Sequence, residues 1–236
     1  MAADIAPELL TKIQETFWEE MAKNPVIERY TNMIYGGNAG FVQLDRYATE
    51  VARTLTNSFV ANLTTTTLPD GRIYYNIADR IIPPMMEEEF NLVTDATNQV
   101  ITRLNKKAKI NMQALAPDMD VDRVSGIVDA VSSQTELEAA LNYLKEPLEN
   151  FAVHAVDDTV RHNAKLQYDA GLQPKIVRSS NGRCCDWCEG LVGAYDYPVQ
   201  NPEVYQRHEN CNCVVEFMPV KMRAQNVWSK DWRSTE

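Results

Sequence analysis

Cys184-Cys185-Asp186-Trp187-Cys188 and, after a spacer of nineteen residues, His208-Glu209-Asn210-Cys211-Asn212-Cys213 hold every cysteine of this 236-residue chain. Cys185 and Cys188 form a C-x-x-C pair, a spacing that turns two sulfurs to one side of a tight bend. The second stretch adds His208, Cys211 and Cys213. Thiolate and imidazole donors of this kind suit zinc, whereas calcium or magnesium asks for oxygens. Six side chains compete for four tetrahedral positions. Matching two-residue spacers favour Cys185, Cys188, His208 and Cys211; Cys213 is the alternative to His208 or Cys211, and Cys184 is the spare. A closed four-ligand site has no position open for an activated water, so the expected role of Zn2+ is structural, not catalytic.

The residues around the cluster support that reading. Pro174-Lys175-Ile176-Val177-Arg178 and Asn212-Cys213-Val214-Val215-Glu216-Phe217 read as short strands, separated by loops containing Asn181-Gly182, Gly190, Gly193, Pro198 and Pro202. A loop-rich segment of this length buries little core. A metal cross-link on the order of 10 kcal/mol would supply what packing does not. Rival uses of the cysteines fit less well. Thioredoxin-like chemistry places C-x-x-C at a helix start inside a βαβ unit, and a disulfide framework sits badly with five cysteines. A zinc deaminase needs H-x-E before P-C-x-x-C, the reverse of the order here.

Upstream, the pattern turns helical. Leu9, Ile13, Phe17 and Met21 step along one face until Asn24-Pro25 interrupts; a second helix is expected from about Gly40 to Asn62. Thr64 to Thr67 and Pro69-Asp70-Gly71 read as a loop and turn. Pro83-Pro84 is expected in the first turn of a longer helix, with Glu87-Glu88-Glu89 on its solvated start, a stripe of Leu92, Ala96, Val100, Leu104 and Ala108, and an end at Pro117. Asp120 caps a short helix through Val131. Thr135 with Glu138 has the capping-box pattern that opens the longest helix, striped by Leu137, Leu141, Leu144, Leu148, Ala152, Ala155, Val156 and Val160, with a kink at Pro147 and a C-cap at Gly171. His154 and His162 read as neutral surface side chains, Asp157-Asp158 as an exposed face, and Met33, Met85, Met86 and Met112 as gap-fillers.

The expected fold is therefore mainly α: a helical region over 1–170, a small zinc-stabilised α+β module over 171–219, and a short tail over 220–236 carrying Trp228 and Trp232. Net charge is −10, from 33 acidic and 23 basic residues. That balance argues against broad binding to phosphate backbones, which needs clustered Lys and Arg. MAADIAPELL lacks a basic start followed by an apolar run, and no apolar stretch approaches the ~20 residues of a membrane span, so neither a secretory signal nor a membrane-spanning segment is expected.

The run from Arg161 through Ala170-Gly171-Leu172-Gln173-Pro174-Lys175-Ile176-Val177-Arg178, then Cys185-Asp186-Trp187-Cys188, Gly193, Tyr195 to Pro198 and Arg207-His208-Glu209-Asn210-Cys211-Asn212-Cys213, resembles the phage head-morphogenesis (MuF-like) family of minor head, or minor capsid, proteins. The resemblance covers roughly residues 160–219; the family usually reads H-P-x-C-R-C where this chain has no arginine. It implies a virion component made in the host cytoplasm and placed at the capsid interior or portal vertex, with the phage portal or the major capsid protein as partner and packaged DNA as a lesser one. The function expected is a non-enzymatic structural one in head assembly, genome packaging or DNA ejection. Tyr195, Tyr197, Tyr205, Trp187, Trp228 and Trp232 are candidate interface anchors, each with ordinary packing as its plain alternative. Two other functions compete: a divergent phage-associated enzyme, ADP-ribosyltransferase-like or nuclease, and a cellular zinc-binding adaptor.

Overall fold

The computed structural model describes residues 4–180, 185–207 and 213–219. Six long helices come first: α1 (Ala6–Lys23), α2 (Pro25–Tyr35), α3 (Phe41–Asn62), α4 (Tyr75–Lys107), α5 (Val121–Ser133) and α6 (Leu137–Asp169). β1 (Lys175–Ser180), a one-turn α7 (Asp186–Glu189), β2 (Gly193–Asp196) and β3 (Cys213–Met218) follow. The chain is thus mainly helical with a small C-terminal sheet. Candidates Cys184, His208 and Cys211, and the tail with Trp228 and Trp232, lie outside the described residues.

Local chemistry explains most boundaries. Asn24 ends α1 and caps α2: its Oδ1 accepts from the amides of Val26 and Ile27, and Pro25 takes the first position, where no amide is needed. Asp120 Oδ1 accepts from Arg123 N and starts α5. Gly171 lies at φ +83, and the bonds Gly171 N to Tyr168 O and Leu172 N to Gln167 O complete a Schellman end for α6. The end of α4 has the same form, with Lys109 at φ 63 in the left-handed position. That helix therefore stops at Lys107, ten residues before Pro117. The link to α5 runs without helix or strand, pinned by Ala114 N to Thr102 Oγ1 and by a two-way amide exchange between Leu115 and Asn163.

Three further expectations are corrected. Pro83 and Pro84 lie inside α4, because Ile77, Ala78, Ile81 and Ile82 form a buried stripe that holds the preceding turns helical despite the lost amides. Glu89 is consequently well inside the helix and fully buried. Glu88 instead accepts from Gln14 Nε2 and Trp18 Nε1 on α1. The third concerns α6, whose N-cap is Glu136 with no side-chain capping bond, so the Thr135–Glu138 box is not formed. Leu92, Leu104, Leu137 and Leu141 sit half-buried at the stripe margins. Met85 and Met86 fill the core as expected.

α3 packs against α1, α2, α4 and α6, and β3 packs against both α3 and α6. The sheet is antiparallel in the order β2-β1-β3, with Ser180 opposite Cys213 and Arg178 opposite both Gly193 and Val215. Ile176, Val204, Val214, Val215 and Phe217 belong to the same apolar cluster as the helices, so one core runs from the bundle into the sheet.

Candidate metal centre

Cys185 is the N-cap of α7, and its Sγ accepts from Cys188 N at 3.5 Å. Leu191 N to Cys188 O and Glu189 N to Cys185 O then close the bend. A sulfur that accepts an amide proton is favoured as thiolate, the form a metal binds. Cys185 is exposed and Cys188 is buried. The C-x-x-C spacing therefore brings these two together as expected.

Arg178, from the middle of β1, reaches the same place. It is only 1% exposed, and its Nη2 lies 3.6 Å from Cys188 Sγ. Its Nη1 donates to the carbonyls of Val204 and Gln206, each at 2.7 Å, and its guanidinium sits 5.5 Å from the Trp187 ring. A thiolate at Cys188 is thus placed to neutralise a buried cation, and the arginine fixes the 202–206 turn against the bend. Trp187 remains 39% exposed. Tyr195 donates to Leu191 O, while Tyr197 stacks at a tilt on Tyr168.

Cys213 opens β3 and is buried. Its carbonyl accepts from Arg207 Nη1 at 2.5 Å, so the residues flanking 208–212 are in direct contact. Among the described residues, no three His, Cys, Asp or Glu side chains gather as a metal-holding group. Cys185, Cys188 and Cys213 thus do not make a cage by themselves.

Arg207 does more than hold that carbonyl. Nε and Nη2 clasp both oxygens of Asp157 on α6, at 2.5 and 2.7 Å, and Nη1 meets Asp45 Oδ2 on α3 at 2.9 Å. Arg207 and Asp157 are almost wholly buried, which corrects the reading of Asp157 as an exposed face. Burial works against the guanidinium charge, but Asp157 and then Asp45 outweigh it and hold Arg207 protonated. Burial pushes Asp45 up to about 7, with Arg207 pulling it down and Asp157 repelling it. Motif reading placed Arg178 and Arg207 only as parts of a run and gave them no task. The available signal for Asp157 was its place next to Val156 and one turn before Val160, on the buried stripe of α6.

His154 is half-buried beside Asp120, Arg123 and Asp158. Burial, with Arg123 second, lowers it to about 4, so it is neutral near pH 7 as expected, but it is packed against its neighbours and not the surface side chain the sequence suggested. No protein-family model, curated protein or solved structure matches the chain.

Proposed function

We propose that this chain is a non-enzymatic structural component of a tailed-phage head, a minor capsid protein seated near the portal, whose C-terminal module closes on one zinc ion. The observation that carries the reading is the Cys185–Cys188 turn, with its amide-to-sulfur bond and buried arginine, within a stretch that resembles the phage head-morphogenesis motif. Cys185 and Cys188 are the first ligand pair. His208 and Cys211 complete the preferred set, with Cys213 the alternate.

The metal would supply a cross-link between two parts of the chain that are distant in sequence. This chain's own residues do the rest. Arg178 ties the first ligand turn to the 202–206 turn, and Arg207 ties the start of the second ligand stretch to α3 and α6. In this role the module is a rigid fixture on a helical body that offers its outer faces to the portal or the inner capsid wall. Packaged DNA is the lesser partner for an acidic chain.

Two measurements test the proposal. Elemental analysis of reduced, purified protein is expected to give one zinc ion per chain, lost in Cys188→Ser and retained in Cys213→Ser. Full metal content in Cys188→Ser overturns the ligand set. Mass spectrometry of purified particles is expected to find the chain at a copy number near that of the portal; absence from particles overturns the structural role.

A further inference from the structure

The segment that carries the ligand candidates is not short of a core. On β1 and β3, Ile176 lies opposite Phe217, Arg178 opposite Val215 and Ser180 opposite Cys213, which lines up Ile176, Arg178, Cys213, Val215 and Phe217 on one face of the sheet. Each of these five is at most 3% exposed. Val204, from the 202–206 turn, and Val214 join Ile176, Val215 and Phe217 in the apolar cluster that continues into the helices. None of these contacts passes through a metal ligand's donor atom. A small module that depends on its ion to fold has no such cluster to rest on.

Two arginines then fix the points from which the ligand stretches start. Arg178 donates from Nη1 to the carbonyls of Val204 and Gln206, each at 2.7 Å, and of Glu203 at 3.3 Å, while its Nη2 stands 3.6 Å from Cys188 Sγ. The far end of the Cys185–Cys188 bend is held by the buried Leu191, whose carbonyl accepts from Tyr195 Oη at 2.8 Å. Arg207 follows Gln206 directly. Its bonds to Asp157 and Asp45 seat it on α6 and α3, and its Nη1 donates to the Cys213 carbonyl. Residues 207 and 213, which bracket the stretch with His208 and Cys211, are therefore joined. Along the chain His208 is one residue from the first anchor and Cys211 two residues from the second, about 4 and 7 Å at full reach.

Resting on the metal reading above, we propose that Arg178 and Arg207 are positioning residues that set the ligand frame before the ion arrives, so that zinc closes on a sheet already folded instead of folding it. Neither arginine is a ligand, since a guanidinium has no lone pair to give. Arg178 acts through Cys188 and the 202–206 turn, and Arg207 through the roots of the second stretch. Metal affinity is then not spent on ordering β1 and β3, and the ion can be withdrawn and restored with the sheet intact.

The test uses the full-length chain, reduced and stripped of metal by chelation, with Co2+ as the optical probe and hydrogen exchange as the structural one. The stripped wild type is expected to keep the amides of 175–180 and 213–218 protected to within about twofold of the zinc-loaded chain. It is also expected to take up one Co2+ with a thiolate-to-cobalt charge-transfer band. Arg178→Met is expected to bind Co2+ about tenfold more weakly or worse, with the shape of that band unchanged because the ligands are the same. Arg178→Lys keeps the charge without the planar fork that spans both turns, and is expected to recover little of the loss. Opening of the β1 and β3 amides on stripping overturns the preformed frame. Undiminished Co2+ affinity in Arg178→Met, or full recovery in Arg178→Lys, overturns the positioning role. In all three cases the wild type still binds the ion and the metal reading stands. No uptake of Co2+ by the wild type overturns the metal reading, and this proposal with it.

Discussion

Asp157→Ala removes two of the three carboxylate hydrogen bonds by which Arg207, bound to the carbonyl that opens β3, is tied to α3 and α6. In the native chain Arg207 makes two hydrogen bonds to Asp157, one to Asp45 and one to the Cys213 carbonyl, with its side chain 5% exposed. After the substitution a guanidinium that hydration does not reach keeps one carboxylate, and that carboxylate already has a raised affinity for protons. Breaking a buried pair by deleting one partner costs about 3–5 kcal/mol. Total stability for a domain is only about 5–15 kcal/mol. At roughly 2–4 °C per kcal/mol for a chain of this size, the midpoint should fall by roughly 6–20 °C. Urea and thermal unfolding followed by circular dichroism read the loss, and hydrogen exchange should show the amides of β3 opening before those of α3. The double variant Asp157→Leu/Arg207→Met supplies the control, because apolar replacement of both partners removes the stranded charge; it should recover most of the deficit. A single-variant loss below about 1 kcal/mol, in the range of surface pairs, would refute the claim that this triad docks the sheet.

Two further outcomes follow from groups inside the helices. Glu89 is fully buried with neither oxygen hydrogen-bonded, and burial raises its pKa well above the ordinary carboxyl value, so the folded chain holds a proton there that the unfolded chain releases above about pH 4.5. Stability therefore falls as pH rises past that point, and Glu89→Leu should gain on the order of 2 kcal/mol at pH 7 in denaturant titrations; a loss would refute it. His154 works in the other direction. Its folded value of about 4 lies below the ordinary 6.5, so stability falls as pH drops from 6.5 toward 4, by at most about 1.4 kcal/mol per pH unit. Asp45 opposes it over the same window, losing stability as pH rises toward 7, so the clean readout is the difference curve between wild type and His154→Gln. A flat difference curve would contradict the burial of this imidazole.

Helical class, the break at Asn24-Pro25, the turn at Pro69-Asp70-Gly71, the cap at Asp120 and two of the three strands were readable because each rests on neighbours in sequence. The C-x-x-C bend was readable for the same reason: its amide-to-sulfur bond spans three residues. Strand β2 went unseen, since Gly193-Ala194-Tyr195-Asp196 has weak strand propensity and owes its state to pairing with β1. Pro83-Pro84 misled because local rules place proline at a helix start, whereas packing of Ile77 and Ile81 carries the helix through. Asp45 and Asp157 were hidden for a different reason. Their partner is Arg207, 162 and 50 residues away, and no local pattern encodes that meeting.

The paired prolines of α4 also bear on how that helix is made. Without amide hydrogens, Pro83 and Pro84 leave the Asp79 and Arg80 carbonyls unmatched along the rod. Local hydrogen bonding is therefore weakest there, and the segment before the prolines needs support from packing to hold its helical turns. The packing of Ile77, Ala78, Ile81 and Ile82 into the core, with α1 alongside, is what offsets that loss. The opening turns of α4 therefore lean on their packing against α1 more heavily than its second half does.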